Sequence, residues 1–187
     1  ENNERRALLD STTRVTPFDP FDITVGKSEL RVTLIDTPGY GDSLHADESF
    51  EVICAHVEAL FEAHLADETT RGTRDPERLR HDDRFVHVCL YFIAPHRLKN
   101  IDIAFMRRLH RHVNIVPIIA KSDTMTTAEK EEFKMHVRDT LAREGIDLHA
   151  FDPASIRAME ARDAREYKPP WAVVGSTDAH LDDGATV

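Results

Sequence analysis

Two short polar groups stand out in the sequence because each directly follows an apolar stretch. The first, Asp36-Thr37-Pro38-Gly39, follows an alternating segment that begins at Leu30 and predicts a half-buried strand. A carboxylate at the carboxyl end of a strand lies where open α/β sheets bind ligands. There, Asp36 could hold a phosphate-bound magnesium ion through water, with the Gly39 amide near a terminal phosphate. Asp, Pro and Gly also suit an ordinary turn, so this segment alone leaves both interpretations open.

Polar or glycine-containing groups also follow three other apolar runs. They are Ala94-Pro95-His96-Arg97 after 86–93, Lys121-Ser122-Asp123 after 113–120, and Gly175 after 171–174. The run 86–93 is apolar at nearly every position, which is typical of a central parallel strand covered on both faces. Because parallel strands end at one edge of a sheet, we expect these groups to lie on the same edge as Asp36.

Between most of these strands, the sequence has apolar residues at helical spacing. Amphipathic helices are predicted over 47–66, from Asp102, and after Thr126, which forms a capping box with Glu129. One face of the first helix carries Phe50, Ile53, Val57, Leu60, Phe61 and Leu65. One face of the last carries Phe133, Val137 and Leu141, and Gly145 ends that helix. A short strand is predicted over 146–151, a charged helix over 154–166 and an exposed loop over 69–84. This alternation predicts a doubly wound α/β sheet. Because no repeat or linker divides the sequence, we expect a single domain over residues 1–187.

The run Gly26-Lys27-Ser28 resembles the end of a phosphate-binding G-x-x-x-x-G-K-[ST] loop. The position of the first required glycine holds Phe21, however, and no helix follows the run. Residues 21–25 alternate like a strand, so Gly26 begins a turn into the strand at Leu30. The sequence therefore predicts a β-hairpin here, with one antiparallel strand in an otherwise parallel sheet.

Composition excludes several classes of protein. A formal net charge of −10 over 187 residues disfavours a nucleic-acid surface, although loop amides can still hold an anionic nucleotide. The longest apolar run, Val88–Ile93, is far too short to cross a bilayer, and residues 1–10 show no signal-peptide pattern. Cys54 and Cys89 both fall in apolar segments, so we expect buried free thiols.

Five segments, in their order along the chain, closely resemble the septins. They are DTPGYGD, LYFIAP, LKNID, FMRRLH and NIVPIIAKSDT. Ala120 stands where the general GTPase pattern Asn-Lys-x-Asp has Asn, and the similarity runs from about Leu30 to Gly175. The resemblance implies a P-loop NTPase-like, three-layer fold, GTP or GDP with Mg²⁺ as cofactors, and GTP hydrolysis in some members. It also implies a cytoplasmic, cytoskeletal location and filaments in which homodimers or other septin subunits meet across the nucleotide.

The resemblance assigns roles to several residues of this sequence. Lys121 and Asp123 would bind guanine, with Ala120 in the same motif and Gly175 packed near the base. A carboxylate such as Asp123 can accept both N1–H and the exocyclic amine of guanine, which adenine cannot offer. The stem of Lys121 can lie along the base.

The same resemblance assigns the phosphate end of the site. Asp36, through water, and Gly39 would face magnesium and the γ-phosphate. Thr13 stands where hydrolytically competent septins carry a first-switch threonine, so it would serve both metal binding and catalysis; Thr12 is the adjacent alternative.

Two features depart from the septin pattern. The sequence contains no G-x-x-x-x-G-K-[ST] loop, and its resemblance to septins stops soon after the segment AVVGS. That loop supplies a lysine to the phosphates and a hydroxyl to magnesium. We therefore expect that the chain represents part of a septin domain and that this segment alone binds nucleotide poorly and is inactive.

The loop after residues 86–93 is shorter than in the septin pattern, where a Gly-His-Gly segment approaches the partner's nucleotide. Here it contains His96-Arg97. A guanidinium carries a fixed charge and a planar fork that fits phosphate oxygens, and an arginine supplied in trans can stabilise transition-state charge. We expect Arg97 to act on the neighbouring subunit; the alternative is an arginine paired with an aspartate of its own loop.

Three functions remain to be compared. The leading one is a septin GTPase that hydrolyses GTP and dimerises across its nucleotide site. The second is a structural filament subunit whose nucleotide is a fixed cofactor. A metal-binding protein that uses the 11 histidines is disfavoured because no pair of them has ligand spacing with a plausible second shell.

Overall fold

The computed structural model describes residues 14–39, 46–71, 85–163 and 167–175. The chain divides into two compact units, residues 1–85 and 86–187, which are described separately. Thr12, Thr13 and the predicted loop beyond Arg71 lie outside the described residues. The single domain over residues 1–187 stays a prediction.

The first unit contains a hairpin and a second short ladder. Its elements are β1 (Thr16–Pro17), β2 (Phe21–Val25), β3 (Ser28–Val32), β4 (Ile35–Asp36) and α1 (Ala46–Arg71). Strands β2 and β3 pair antiparallel with Val25 opposite Ser28, so Gly26 and Lys27 form the turn. Gly26 has a φ of +63°, a left-handed conformation that glycine adopts without a Cβ clash. The predicted hairpin, and the turn interpretation of Gly26-Lys27-Ser28, are confirmed. In the described residues the hairpin forms a separate two-stranded sheet, so the prediction that it adds one antiparallel strand to an otherwise parallel sheet is wrong there.

The segment from Leu30 to Asp36 forms two strands rather than the predicted one. It leaves the hairpin after Val32, and β4 pairs antiparallel with β1. The Phe18 N–H donates to the Leu34 carbonyl at 2.8 Å, so the chain changes pairing partner at this point. Leu30 and Leu34 are each 48% exposed. The expected continuous, half-buried alternation was therefore wrong.

Helix α1 extends a few residues beyond the predicted range 47–66. Phe50, Ile53 and Val57 are 2–6% exposed, as the helical spacing predicted. Leu65, also assigned to this face, is 60% exposed. Near the end of the helix, the His64 ring packs on Phe85 with centroids 3.9 Å apart.

The second unit is built on a parallel sheet. Its elements are β5 (Val88–Ile93), α2 (Asn100–Leu109), β6 (Asn114–Ile119), a 3-10 turn (Ser122–Thr124), α3 (Thr127–Arg143), α4 (Pro153–Asp163) and β7 (Trp171–Ala172). The strand order is β5-β6-β7 and both pairings are parallel. The alternation of parallel strands and helices confirms the α/β class.

Strand β5 is covered on one face only. Tyr91 and Ile93 are 4% and 0% exposed, whereas Leu90 and Phe92 are 47% and 58% exposed. On the covered face, Tyr91 packs against Phe105 of α2 with ring centroids 5.9 Å apart. In the described residues the prediction of a central strand covered on both faces is wrong in two respects: β5 is an edge of its sheet, and one of its faces is exposed. A uniformly apolar run does not specify how many of its faces are covered.

Helix α3 begins and ends as its sequence predicts. The Glu129 N–H donates to the Thr126 hydroxyl and the Thr126 N–H to the Glu129 carboxylate, which is the expected capping box. Its buried face is Phe133, Val137 and Leu141, and Gly145, with a φ of +66°, follows its end. These three features of the sequence prediction are confirmed.

The segment 146–151 is not the predicted short strand. It touches β6 through a hydrogen bond from the His149 N–H to the Ile115 carbonyl at 3.1 Å, and one such bond does not make a ladder. Its aromatic residue packs instead: the Phe151 and Trp171 rings meet edge to face with centroids 4.9 Å apart. The alternating apolar residues here therefore reflect side-chain packing rather than a strand.

Cys54 and Cys89 are free thiols, as expected, although both are half-buried rather than fully buried. Burial of Cys89 raises the pKa of its thiol to about 11. Among the helices in the described ranges, none is long and apolar enough to cross a membrane.

Candidate functional site

The carboxyl ends of β5, β6 and β7 are joined by backbone hydrogen bonds. The Ala120 N–H donates to the Ile93 carbonyl at 3.0 Å, the Val173 N–H to the Ile119 carbonyl at 2.9 Å, and the Ser122 N–H to the Val173 carbonyl at 3.1 Å. The structure therefore brings three predicted segments to one sheet edge: the loop of His96 and Arg97, the turn of Lys121 and Asp123, and the segment ending at Gly175.

The turn after β6 presents two charged side chains from a fixed backbone. Lys121 has a φ of +50°, a left-handed conformation that is uncommon for a residue with a Cβ and often marks a functional site. The Thr124 hydroxyl donates to the Lys121 carbonyl at 2.8 Å, and Ser122 is 2% exposed. The side chains of Lys121 and Asp123 are both exposed. The turn therefore holds the backbone of a cation and of a carboxylate in place at this edge of the sheet, with both side chains exposed to solvent.

The loop after β5 reaches this turn. His96, with a φ of +60°, places its Nε2 3.3 Å from the Thr124 carbonyl oxygen, so a protonated Nε2 can donate to that oxygen. Arg97 follows and is exposed. Within the described parts of the chain its guanidinium makes no ion pair, so the predicted alternative, an aspartate partner in its own loop, is not observed there.

The pKa of Glu129 is affected by the start of α3 and by the loop of His96. Hydrogen bonds from the Thr126 N–H and then the Thr126 hydroxyl lower the pKa of Glu129, and the nearby His96 lowers it further. The start of α3 therefore interacts electrostatically with the loop of His96.

The residues predicted for the phosphate end belong to the first unit. Asp36 is exposed, and its Oδ1 accepts a hydrogen bond from the Thr37 N–H at 3.0 Å. Among the described residues, no atom other than those of its chain neighbours lies within 4 Å of where a Cβ on Gly39 would be. Hard carboxylate oxygens such as those of Asp36 are donors that Mg²⁺ prefers. Thr13 is outside the described residues.

No cluster of three or more His, Cys, Asp or Glu side chains suited to a metal ion occurs in the part of the chain that the structure describes. A magnesium site of the predicted kind would use one carboxylate together with phosphate and water.

Sequence reasoning missed two residues at this edge. Thr124 closes the turn and meets His96. Asp102 is 7% exposed and binds the backbone before α2. The signal for Asp102 was an acidic residue at the third position of a helix, while the segment KSDT gives no hint of the contact with His96.

The sequence of this chain is similar to known septins. The septin family model matches residues 10–187. Septin-8 of Callithrix jacchus is 35% identical over 94% of this chain and 39% of its own length. Neuronal-specific septin-3 of Danio rerio is 39% identical over 88% of this chain and 46% of its own. The chain therefore spans less than half the length of these relatives.

Two solved structures share the fold. The septin GTPase domain from Chlamydomonas reinhardtii aligns with a TM-score of 0.66 and 25% identity, over 86% of this chain and 58% of that one. Cdc11 from Saccharomyces cerevisiae aligns with a TM-score of 0.57 and 32% identity, over 74% and 59%. Since the family model covers nearly the whole sequence and these structures share its fold, the chain belongs to the septin family.

Proposed function

We propose that this chain is a septin-type guanine-nucleotide-binding domain, extending over residues 1–187, within a GTPase that converts GTP to GDP and phosphate. In the full-length protein it assembles into filaments in the cytoplasmic cytoskeleton, with a homodimer or another septin subunit meeting it across the nucleotide. The observation that carries the proposal is the turn at Lys121 and Asp123. The Ser122 N–H of that turn donates to the Val173 carbonyl, and the Thr124 hydroxyl donates to the Lys121 carbonyl. The side chains of Lys121 and Asp123 are exposed.

The chemistry of guanine recognition fits this turn. The Asp123 carboxylate accepts from N1–H and from the exocyclic amine, and the Lys121 stem packs on the base. Gly175 is exposed and follows Val173, which is bonded to the turn. Ala120, also assigned to the nucleotide site, is half-buried and donates its N–H to the Ile93 carbonyl, so it would anchor the turn beside the nucleotide.

The phosphate end of the proposed site uses Asp36 and Gly39, together with Thr13. When Mg²⁺ is bound, it supplies positive charge to the phosphates. Asp36 would hold it through water, and the Gly39 amide would face the γ-phosphate. Thr13 would add a hydroxyl to the ion and orient the attacking water.

Arg97 is proposed to act in trans. Its side chain is exposed and lies one residue from His96, which is itself bound to the guanine turn. A guanidinium presented from this edge can reach a nucleotide on a facing subunit, where it would stabilise charge on the transferred phosphate.

The alternative function is a filament subunit that holds its nucleotide without turnover. Both functions share the guanine turn and differ only in phosphate chemistry.

Nucleotide extraction from the full-length protein, followed by chromatography, separates the two. GDP recovered from a sample supplied with GTP supports turnover, whereas retained GTP supports the structural role. The absence of nucleotide would contradict both. The matched test of Arg97 is single-turnover hydrolysis by Arg97→Ala; an unchanged rate would remove its catalytic role.

A further inference from the structure

Asp102 is a buried carboxylate that bridges a strand and a helix. It is 7% exposed and is the third residue of α2. Its Oδ1 accepts the Tyr91 O–H at 3.1 Å, and its Oδ2 accepts the Lys99 N–H at 2.8 Å. Tyr91 lies on β5 and Lys99 directly precedes α2, so one side chain is bonded to both sides of the connection 94–99.

This arrangement differs from the other helix starts of the same unit. Asp152 accepts the Ser155 N–H at 2.8 Å, and Glu129 accepts the Thr126 N–H, but both carboxylates are exposed. A cap alone does not require burial. Burying a carboxylate is costly unless its oxygens are hydrogen-bonded, so the second bond of Asp102, to a strand side chain, points to a task beyond capping.

The connection that Asp102 spans carries His96 and Arg97. Its first end is held by the hydrogen bond from the Ala120 N–H to the Ile93 carbonyl, and its second by the bond from the Lys99 N–H to Asp102. His96 adds a contact to Thr124 between them. With both ends held, the backbone of Arg97 has little freedom.

We infer that Asp102 is a positioning residue for Arg97, acting through the bonds to Tyr91 and Lys99. The inference rests on the proposed role of Arg97 toward a phosphate of the facing subunit. A misplacement of about 1 Å in such a group can cost on the order of 100-fold in rate. Loss of the bridge should therefore lower the rate of the chemical step more than it weakens nucleotide binding.

The test compares variants of the full-length protein in single-turnover GTP hydrolysis. Asp102→Ala, which removes the bonds to Tyr91 and Lys99, should slow the rate about tenfold at saturating GTP, while GTP affinity falls by no more than the roughly two- to fivefold expected for loss of the His96 contact. Asp102→Asn should restore most of the rate, because its amide can accept from Lys99 and donate to the Tyr91 oxygen. Asp152→Ala is the matched control, a helix-start carboxylate without the strand bond, and should leave the rate unchanged.

Two further variants make the outcome decisive. Tyr91→Phe removes the hydrogen bond between Tyr91 and Asp102 and keeps the one between Lys99 and Asp102. It should slow hydrolysis less than Asp102→Ala, and it replaces the alanine variant in the test if that variant fails to fold. In an Arg97→Ala background, Asp102→Ala should have no additional effect. An equal additional loss there, or an equal loss in Asp152→Ala, would overturn the inference.

Amide hydrogen exchange separates failure of this inference from failure of the proposed function. If Arg97→Ala itself leaves the rate unchanged, the trans role fails, and positioning is judged from exchange at residues 94–99. Faster exchange there in Asp102→Ala than in Asp152→Ala supports positioning. Equal exchange in both overturns it.

Discussion

The His96 Nε2 lies 3.3 Å from the Thr124 carbonyl oxygen, which joins two loops that follow neighbouring parallel strands. Both loops contain a non-glycine residue with a left-handed backbone, His96 and Lys121. The contact links the proposed arginine loop to the proposed guanine turn. A substitution in one loop should therefore alter the position of the other.

His96→Asn should weaken guanine-nucleotide binding about two- to fivefold, the value of one exposed hydrogen bond. Asparagine tolerates the left-handed backbone, but its shorter side chain does not reach Thr124. Dissociation of a fluorescent GDP analogue from the full-length protein measures the effect. Unchanged dissociation would show that the contact does not support the turn.

Asp123→Asn should reverse base preference. The amide can still accept from N1–H, but its NH₂ faces the exocyclic amine of guanine, whereas it can donate to the C2 carbonyl of xanthine. We expect GDP affinity to fall by about 100-fold or more, with xanthosine diphosphate preferred. Competition binding with both nucleotides checks this, and retained guanine preference would contradict the assignment of Asp123.

Leu141→Ala should lower the free energy of unfolding by about 2–5 kcal/mol, because a buried leucine leaves a cavity. Leu141 is 0% exposed. Met135, on the same helix and 52% exposed, is the matched control; Met135→Ala should change stability by less than about 0.5 kcal/mol. Urea denaturation of both variants tests the packing of α3, and similar losses would contradict it.

Glu129 should make the free energy of unfolding depend on pH. Its pKa in the folded protein is lowered from 4.5, first by the hydrogen bond from the Thr126 N–H. A lowered pKa means that the stabilisation is present above about pH 4.5 and is lost as the pH falls through the folded value. The difference in unfolding free energy between the parent and Glu129→Gln should therefore shrink on acidification. A pH-independent difference would contradict this.

Cys89 should react slowly with alkylating agents. Its pKa of about 11 leaves roughly one thousandth of the thiol ionised near pH 8, against about a quarter for an ordinary cysteine. Alkylation followed by mass spectrometry should show labelling at least about 100-fold slower than for a free thiol. Unfolding in urea should restore the ordinary rate; fast labelling of the folded protein would refute the burial.

The sequence predicted features that local chemistry determines. The hairpin at Gly26, the capping box of Thr126 with Glu129 and the end of α3 at Gly145 each follow from residue types within a few positions. The same is true of the polar groups placed after β5 and β6.

Tertiary packing decided the features that the sequence did not predict. The pairing of β4 with β1 and the absence of a strand over 146–151 depend on distant residues. The contacts of Asp102 with Tyr91 and of His96 with Thr124 join residues 11 and 28 positions apart. No periodicity reports such pairs.

Strand β5 also carries a risk of self-association. Its sequence, VCLYFI, has six uncharged residues and no proline or glycine, a composition that favours stacking of identical segments. In the described chain it is the outermost strand of its sheet, so one row of its backbone groups is available as a template for another molecule. We therefore expect residues 86–187, prepared alone, to aggregate more as their concentration rises. A strand that pairs with the free edge of β5 should reduce this aggregation.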